Sequence, residues 1–354
     1  MESNLDRARA LQRKHELLNT FRSMITYAAS HNIDAIIIAG DLFDTKKISP
    51  TTQSEVLSDI ESHPDITFYY LKGNHDHDNF LSGHEDIPEN LKLFDHTWCY
   101  YAHDDDICIA GVELSKDNSD TIYTSLVLDQ NKFNIVILHG QESAANPKDR
   151  AEVIHLRSLR NHGIDYLALG HVHTCKTESL DGRGIYCYPG CLEGRGFDEC
   201  GEHGFVELDI DPKTKKYTHT FVPFASRTLY TVEVDISGLN DTPSIEQAIR
   251  STLIREGYSE HPKNLIKIIL TGAVDVACEK DIAYLRSVFE HDFYYVKIYD
   301  MTKLLVNYED YTLDESLKGA FVRTVMKDSL LSEEDRNTII RYGLQLIAGD
   351  KEVE

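Results

Sequence analysis

Four short apolar runs in this chain each stop at a glycine beside Asp, Asn or His, and that recurrence constrains the fold more than any other feature. Ile33–Ala39 ends at Gly40-Asp41, and Ile66–Leu71 ends at Lys72-Gly73-Asn74-His75-Asp76. Phe133–Leu138 ends at His139-Gly140, and Ile164–Leu169 ends at Gly170-His171-Val172-His173. Short, nearly continuous apolar runs are the pattern of strands buried on both faces. Helical periodicity lies between several of them. Residues 5–31 place Leu17, Leu18, Phe21, Met24, Ile25 and Ala28 on one face, and further helices are expected around Thr52–Ser62 and Arg150–His162. Strands alternating with helices predict an α/β fold, a largely parallel sheet core flanked by helices. In such sheets the functional groups sit beyond the carboxyl ends of the strands. The polar clusters are therefore expected to converge on one sheet edge although they are far apart in sequence.

A second region starts near Thr228. Tyr230–Ile236, Leu265–Leu270 and Phe293–Ile298 read as strands, with helices over Pro243–Gly257 and Glu279–Glu290 between them. This β-α-β-α-β pattern predicts a smaller α+β domain. Two helical patterns follow, Leu313–Lys327 and Ser332–Ala348, the second opening on Ser332-Glu-Glu-Asp as a capping box. They form either a hairpin for a partner or one packed on its own domain. The expected division is 1–205, 206–300 and 301–354.

A chain of 354 residues can bury a sizeable core without staples. No apolar run approaches the ~18 residues of a membrane span, and the start has no apolar signal segment. Seven cysteines without a Cys-x-x-Cys pair point to a reduced, cytoplasmic protein. Cys175, Cys187, Cys191 and Cys200 lie close together in spacings that match no common zinc pattern, so free buried thiols are expected. The net charge of −23 argues against broad nucleic-acid binding by this chain alone. It does not exclude phosphate chemistry at a metal, because a divalent cation inverts the local field.

The residue types at the strand ends suit such a centre. Two cations ~3.5–4 Å apart can hold a hydroxide between them and clamp both the attacking and leaving oxygens of a phosphoester. An anionic oxygen can bridge them, which suits Asp41. Neutral imidazoles and an amide oxygen complete the shells with little added charge, which suits Asn74, His139, His171 and His173. His75 would face the substrate and protonate the leaving oxygen, with Asp76 holding its ring. Singly, each has a plainer explanation: Asp41 as a turn residue, His139 as a core histidine. Gly73-Asn-His-Asp76 is the most specific element, because a turn has no use for His-Asp.

Gly40-Asp-Leu-Phe-Asp44, Gly73-Asn-His-Asp76, His139-Gly140 and Gly170-His-Val-His173 resemble the calcineurin-like metallophosphoesterases. Within that family the chain is most similar to the SbcD-type DNA repair nucleases, the nuclease subunit of the SbcCD complex. The Leu-Phe after Gly40-Asp41 and the segment Tyr188-Pro-Gly-Cys-Leu-Glu-Gly-Arg-Gly-Phe-Asp-Glu199 fit that branch. The motifs span about residues 30–205. The resemblance implies a calcineurin-like phosphoesterase fold with a capping domain, and C-terminal helices that dock on an SbcC-like ATPase. It also implies DNA as substrate, manganese as the usual metal with two ions in the family, and a working unit that is a dimer with the ATPase; a homodimer of this chain is a further expectation.

The family's first motif, Asp-x-His at the end of a strand preceding the long helix, has no counterpart here. One metal site would lose two ligands it shares with Asp41 and His173, while the set Asp41, Asn74, His139 and His171 is complete. Either a strand upstream of Met1 is missing, which is the expectation, or the protein has become a regulator. These residues alone predict weak, single-metal occupancy and poor catalysis. The leading expectation is a metal-dependent phosphodiesterase, a DNA exo- or endonuclease subunit. A small-substrate phosphoesterase and a non-catalytic binding subunit are the alternatives.

Overall fold

In a computed structural model of the chain, the described residues are 5–43, 48–74, 76, 81, 87–142, 153–258, 261–275, 278–305 and 311–348. The chain forms two compact units, Met1–Ser226 and Arg227–Glu354. The first unit runs through α1 (Arg7–Ser30), β1 (Ala35–Ala39), α2 (Pro50–Glu61), β2 (Thr67–Leu71), β3 (Leu91–Leu93), β4 (Cys99–Ala102), β5 (Ile107–Gly111) and α3 (Ile122–Ser125). It continues through β6 (Phe133–His139), β7 (Gln141–Glu142), β8 (Val153–Ile154), α4 (Leu156–Leu159), β9 (Tyr166–Gly170), β10 (Lys176–Ser179), β11 (Ile185–Tyr188), β12 (Gly204–Asp211) and β13 (Lys216–Pro223).

Helix α1 begins where Asp6 Oδ1 accepts the Ala8 and Arg9 amides at 3.0 and 2.9 Å, satisfying two donors that the first turn leaves open. It ends where Asn32 adopts φ 56°, a left-handed stop that asparagine tolerates. Its inward face carries Phe21, Ile25 and Ala28 onto one side of a parallel three-stranded sheet, order β1-β2-β3, which α2 also covers through Val56, Leu57 and Ile60. The second sheet has order β10-β11-β9-β6-β5-β4. Its four central strands are parallel and its two edge strands antiparallel.

The two sheets share a core. Tyr69 and Leu71 of β2 join Ile109, Ile135, Ile137 and Ala168 from the larger sheet, with Ala35, Ile37 and Ala39 of β1 packed against them. Strand β6 is buried along its whole length, because its alternate residues serve two different cores. Each buried Ile or Leu there contributes about 1.5–3 kcal/mol. The expected single sheet is therefore two. Strands β1 and β2 belong to one, β6 and β9 to the other, and their carboxyl ends meet because the sheets are stacked. Strands β3 and β10 are short and β12 alternates apolar with acidic residues, so none of the three carries the continuous apolar run by which the others are recognised. The helix expected around residues 150–162 is one turn, α4. Asn161 and Gly163, at φ 62° and 86°, end any continuation, and residues 143–152 lie outside the described ones.

The expected boundary at 205/206 falls just before the β12–β13 hairpin, whereas the first unit extends to Ser226. The hairpin joins the first unit because Val206, Leu208, Ile210 and Tyr217 pack against its inter-sheet core. Tyr27 of α1 also donates to Glu207 at 2.9 Å.

The second unit holds β14 (Leu229–Asp235), α5 (Thr242–Arg255), β15 (His261–Thr271), β16 (Ala273–Asp275), α6 (Ile282–Phe289), β17 (Phe293–Asp300), β18 (Lys303–Leu305), α7 (Leu317–Lys327) and α8 (Glu333–Ala348). Strands β14, β15 and β17 are parallel, and α5 and α6 cover them through Ile245, Ile249, Leu285 and Phe289. Helices α7 and α8 close a small core of Val322, Val325, Ile340 and Leu344. Ser332 accepts the Asp335 amide at 3.1 Å, as the capping pattern predicts. Among the described residues, no helix is long and apolar enough to cross a membrane.

Candidate metal centre

Four of the expected residues meet at the carboxyl ends of β1, β2, β6 and β9. Ligand atoms of Asp41, His139 and His171 all lie within 4.8 Å of one another. Asn74 Oδ1 stands 2.9 Å from His139 Nε2, and Asp41 Oδ2 stands 3.3 Å from the same nitrogen. The His139 and His171 rings meet edge to face, with centroids 5.3 Å apart.

The backbone is bent to achieve this. Asp41 has φ 53° and His171 φ 96°, conformations that residues with a Cβ rarely adopt and that cost on the order of 1–3 kcal/mol each. Both immediately follow a glycine at a strand end. Gly170 has no alternative there, because a Cβ would lie 1.7 Å from the Ala39 carbonyl oxygen. At Gly40, φ 88°, a Cβ would lie 2.2 Å from His139 Nδ1. Glycine thus lets the two stacked sheets touch where the ligands converge.

The surroundings of His139 indicate what kind of group the site suits. Its Nδ1 lies 2.8 Å from the Ala39 carbonyl, which can only accept, so Nδ1 carries the hydrogen. In the neutral ring, Nε2 then presents a lone pair to two more lone-pair bearers, Asn74 Oδ1 and Asp41 Oδ2. A cation placed between them would satisfy these lone pairs at once. Burial pushes the His139 pKa down, but the hydrogen bond and charge of Asp41 outweigh burial and raise it. A divalent cation fits the same donor set of carboxylate, amide oxygen and two imidazoles. The Nδ1–carbonyl bond also orients the ring in the manner common to metal-binding histidines.

Neighbouring bonds hold these loops. Asp76 is 2% exposed, and its two oxygens accept the Phe43 amide at 3.1 Å and the Gly73 amide at 3.0 Å. It thereby ties the loop after β1 to the loop after β2. Its expected partner, His75, lies outside the described residues. The Tyr188 hydroxyl donates to the Gly140 carbonyl and accepts the Glu142 amide, both at 3.0 Å, and so fastens the turn that follows His139.

His173 stands outside the group formed by Asp41, His139 and His171. Its Nδ1 lies 2.6 Å from Glu199 Oε1. Burial raises the Glu199 pKa, but hydrogen bonds from Arg195 outweigh it and leave the carboxyl below its usual range. Glu199 and Arg195 lie in the Tyr188–Glu199 segment, which was legible as a motif but not as part of a site. No strand or helix signal announces where that loop returns. The four neighbouring cysteines are free thiols. Cys187 is buried and Cys191 half-buried, its pKa pushed up to about 12 chiefly by burial, whereas Cys175 and Cys200 are exposed rather than buried.

The calcineurin-like phosphoesterase family matches residues 12–175. The chain is 25% identical over 354 residues to the DNA double-strand break repair protein Mre11 of Saccharolobus solfataricus, covering 94% of this chain and 89% of that protein. It is 23% identical over 302 residues to the Mre11 of Sulfolobus acidocaldarius, covering 79% of this chain and 76% of that protein. An uncharacterized metallophosphoesterase of Bacillus subtilis, YhaO, is 27% identical over 213 residues, 56% of this chain and 50% of its own length. The match begins inside α1 and takes in every strand end that contributes to the cation-seeking cluster: residues 12–175 are a calcineurin-like metallophosphoesterase domain.

Proposed function

We propose that this chain is a metal-dependent phosphodiesterase that cleaves DNA in strand-break repair. The observation that carries this reading is the convergence of Asp41, His139 and His171 ligand atoms within 4.8 Å, with Asn74 against His139. The repair proteins it resembles over most of its length favour DNA as the substrate. Asp41, Asn74, His139 and His171 would hold the cation, with manganese as the working choice and His173 at the margin of the site. Bound there, a divalent ion supplies Lewis acidity toward a phosphoryl oxygen and toward water. The chain's own residues do the rest. Asp41 supplies the negative charge that retains the ion, and Ala39 orients His139 through its Nδ1. Asp76 holds the Asp41 and Asn74 loops together. His75 gives a proton to the leaving oxygen.

The test uses the purified chain with Mn²⁺ on linear duplex DNA, on a mononucleotide and on bis(p-nitrophenyl) phosphate. Slow hydrolysis of DNA that EDTA abolishes is expected, in keeping with a single occupied metal site. Asp41→Ala should lose both Mn²⁺ binding and hydrolysis, whereas His75→Ala should keep Mn²⁺ and lose turnover. Cleavage of the nucleotide but not of DNA would move the assignment to a small-substrate enzyme. Folded protein that neither binds Mn²⁺ nor hydrolyses any of the three would end it.

A further inference from the structure

We propose that Glu199 is a positioning residue: its carboxylate sets the orientation of His173, so that the Nε2 edge of the ring is presented to a cation at the strand-end rim. The inference rests on the metal centre proposed above and adds a residue supplied by the loop after β11.

Glu199 Oε1 lies 2.6 Å from His173 Nδ1. A carboxylate only accepts, so this bond requires the hydrogen on Nδ1. In the neutral ring the lone pair is then on Nε2, the tautomer a cation needs. The carboxylate is itself fixed. Arg195 Nη2 donates to the same Oε1 at 3.0 Å, and the Arg195 amide donates to Oε2 at 2.7 Å. Arg195 Nη2 also sits 3.2 Å from His173 Nδ1 and 3.5 Å from Nε2. Nδ1 and Nη2 both carry hydrogens and share the Glu199 oxygen as acceptor, and the long Nη2–Nε2 approach is the contact that a cation bound at Nε2 would replace.

The loop is anchored at both ends. The Cys191 amide donates to the His173 carbonyl at 3.1 Å, and His203 Nε2 donates to the Glu199 carbonyl at 2.9 Å. Only 8% of the Glu199 side chain is exposed, against 41% of His173, so the orienting group is enclosed and the oriented ring reaches solvent. A carboxylate behind a histidine is a common way of aiming the ring at a metal, and its loss costs about 10–100-fold in metal affinity.

The experiment compares the full chain with Asp41→Ala, His173→Ala, Glu199→Ala and His203→Gln. The readouts are Mn²⁺ titration and, in the metal-free proteins, the ¹⁵N signature of the His173 ring, assigned by its loss in His173→Ala. In the wild type the His173 proton is expected on Nδ1, and in Glu199→Ala on Nε2. The Mn²⁺ binding event that His173→Ala weakens should weaken about 10–100-fold in Glu199→Ala. His203→Gln, which disturbs the same loop without touching His173, should bind Mn²⁺ as the wild type does.

An unchanged His173 tautomer in Glu199→Ala overturns the proposal. So does Mn²⁺ binding that is insensitive to His173→Ala, or an equal loss in His203→Gln, which would show a loop effect only. If Asp41→Ala also leaves Mn²⁺ binding intact, the metal centre itself has failed. If Asp41→Ala abolishes binding while Glu199→Ala changes nothing, only the role of Glu199 has.

Discussion

At the scale of single residues, the chain places polar groups where the backbone would otherwise be strained or unsatisfied. Asp181 shows this away from the site. Its carboxylate accepts the amides of Asn161, Arg183 and Gly184 at 2.7, 2.8 and 3.2 Å, and so stabilises the left-handed Asn161 turn. Burial raises its pKa, but the three amides outweigh burial and lower it. A carboxyl lowered in the folded state contributes stability in full above its unfolded value of about 4 and loses it as pH falls through the folded value. Urea unfolding of the wild type should therefore weaken between pH 5 and 3 more steeply than that of Asp181→Asn. Parallel pH profiles would show that the three amides do not favour the ionised form. The site residues were readable at this scale for a simple reason. Asp41, Asn74, His139 and His171 each end or follow an apolar run, so the strand pattern itself points at them. Glu199 follows no such run, and its bond to His173 exists only once the loop has closed.

At the scale of elements, a buried polar knot joins α1 to the loop after β11 and to the segment after β13. Arg13 on α1 reaches Glu193 at 3.2 Å and the Gly194 carbonyl at 3.1 Å, and Thr20 donates to Glu193 at 2.7 Å. The Ser226 amide donates to the same carboxylate at 2.6 Å. The Arg13 and Glu193 side chains are only 6% and 2% exposed. Arg13 also pairs with Glu16 at 2.6 Å, so removing Glu193 leaves the guanidinium one carboxylate and strands the Thr20 hydroxyl and the Ser226 amide, at about 1–3 kcal/mol each. Glu193→Ala should lower the unfolding free energy by about 2–5 kcal/mol, and Glu193→Gln, which keeps an acceptor for those donors, should recover much of it in chemical denaturation. A Gln variant as unstable as the Ala variant would assign the cost to the lost charge and not to the stranded donors. None of this was legible beforehand, because Arg13 reads as one more solvent-facing position on an amphipathic helix.

At the scale of the whole molecule, the hairpin of α7 and α8 encloses its own small core but leaves Leu313, Leu317, Leu330 and Leu346 62–93% exposed. An acidic chain with a net charge of −23 gains little from phosphate backbones. These four leucines are the apolar surface that a docking partner would cover, the role expected of the C-terminal helices from the sequence. If the hairpin serves only for docking, removal of Leu313–Glu354 should leave Mn²⁺ binding and hydrolysis of the small phosphodiester unchanged. Loss of Mn²⁺ binding on truncation would instead make the hairpin part of the structural core.

The primary structure alone determined the strands that carry the ligands, the residue types at their ends and the order of units along the chain. Apolar periodicity and glycine placement are local and need no neighbour to be read. Tertiary structure decided that two sheets rather than one bring those ends together, that the β12–β13 hairpin belongs to the first unit, and that Glu199 reaches His173. Those outcomes depend on which surfaces stack and where a loop returns, and such contacts form between residues whose separation in sequence carries no periodic signal.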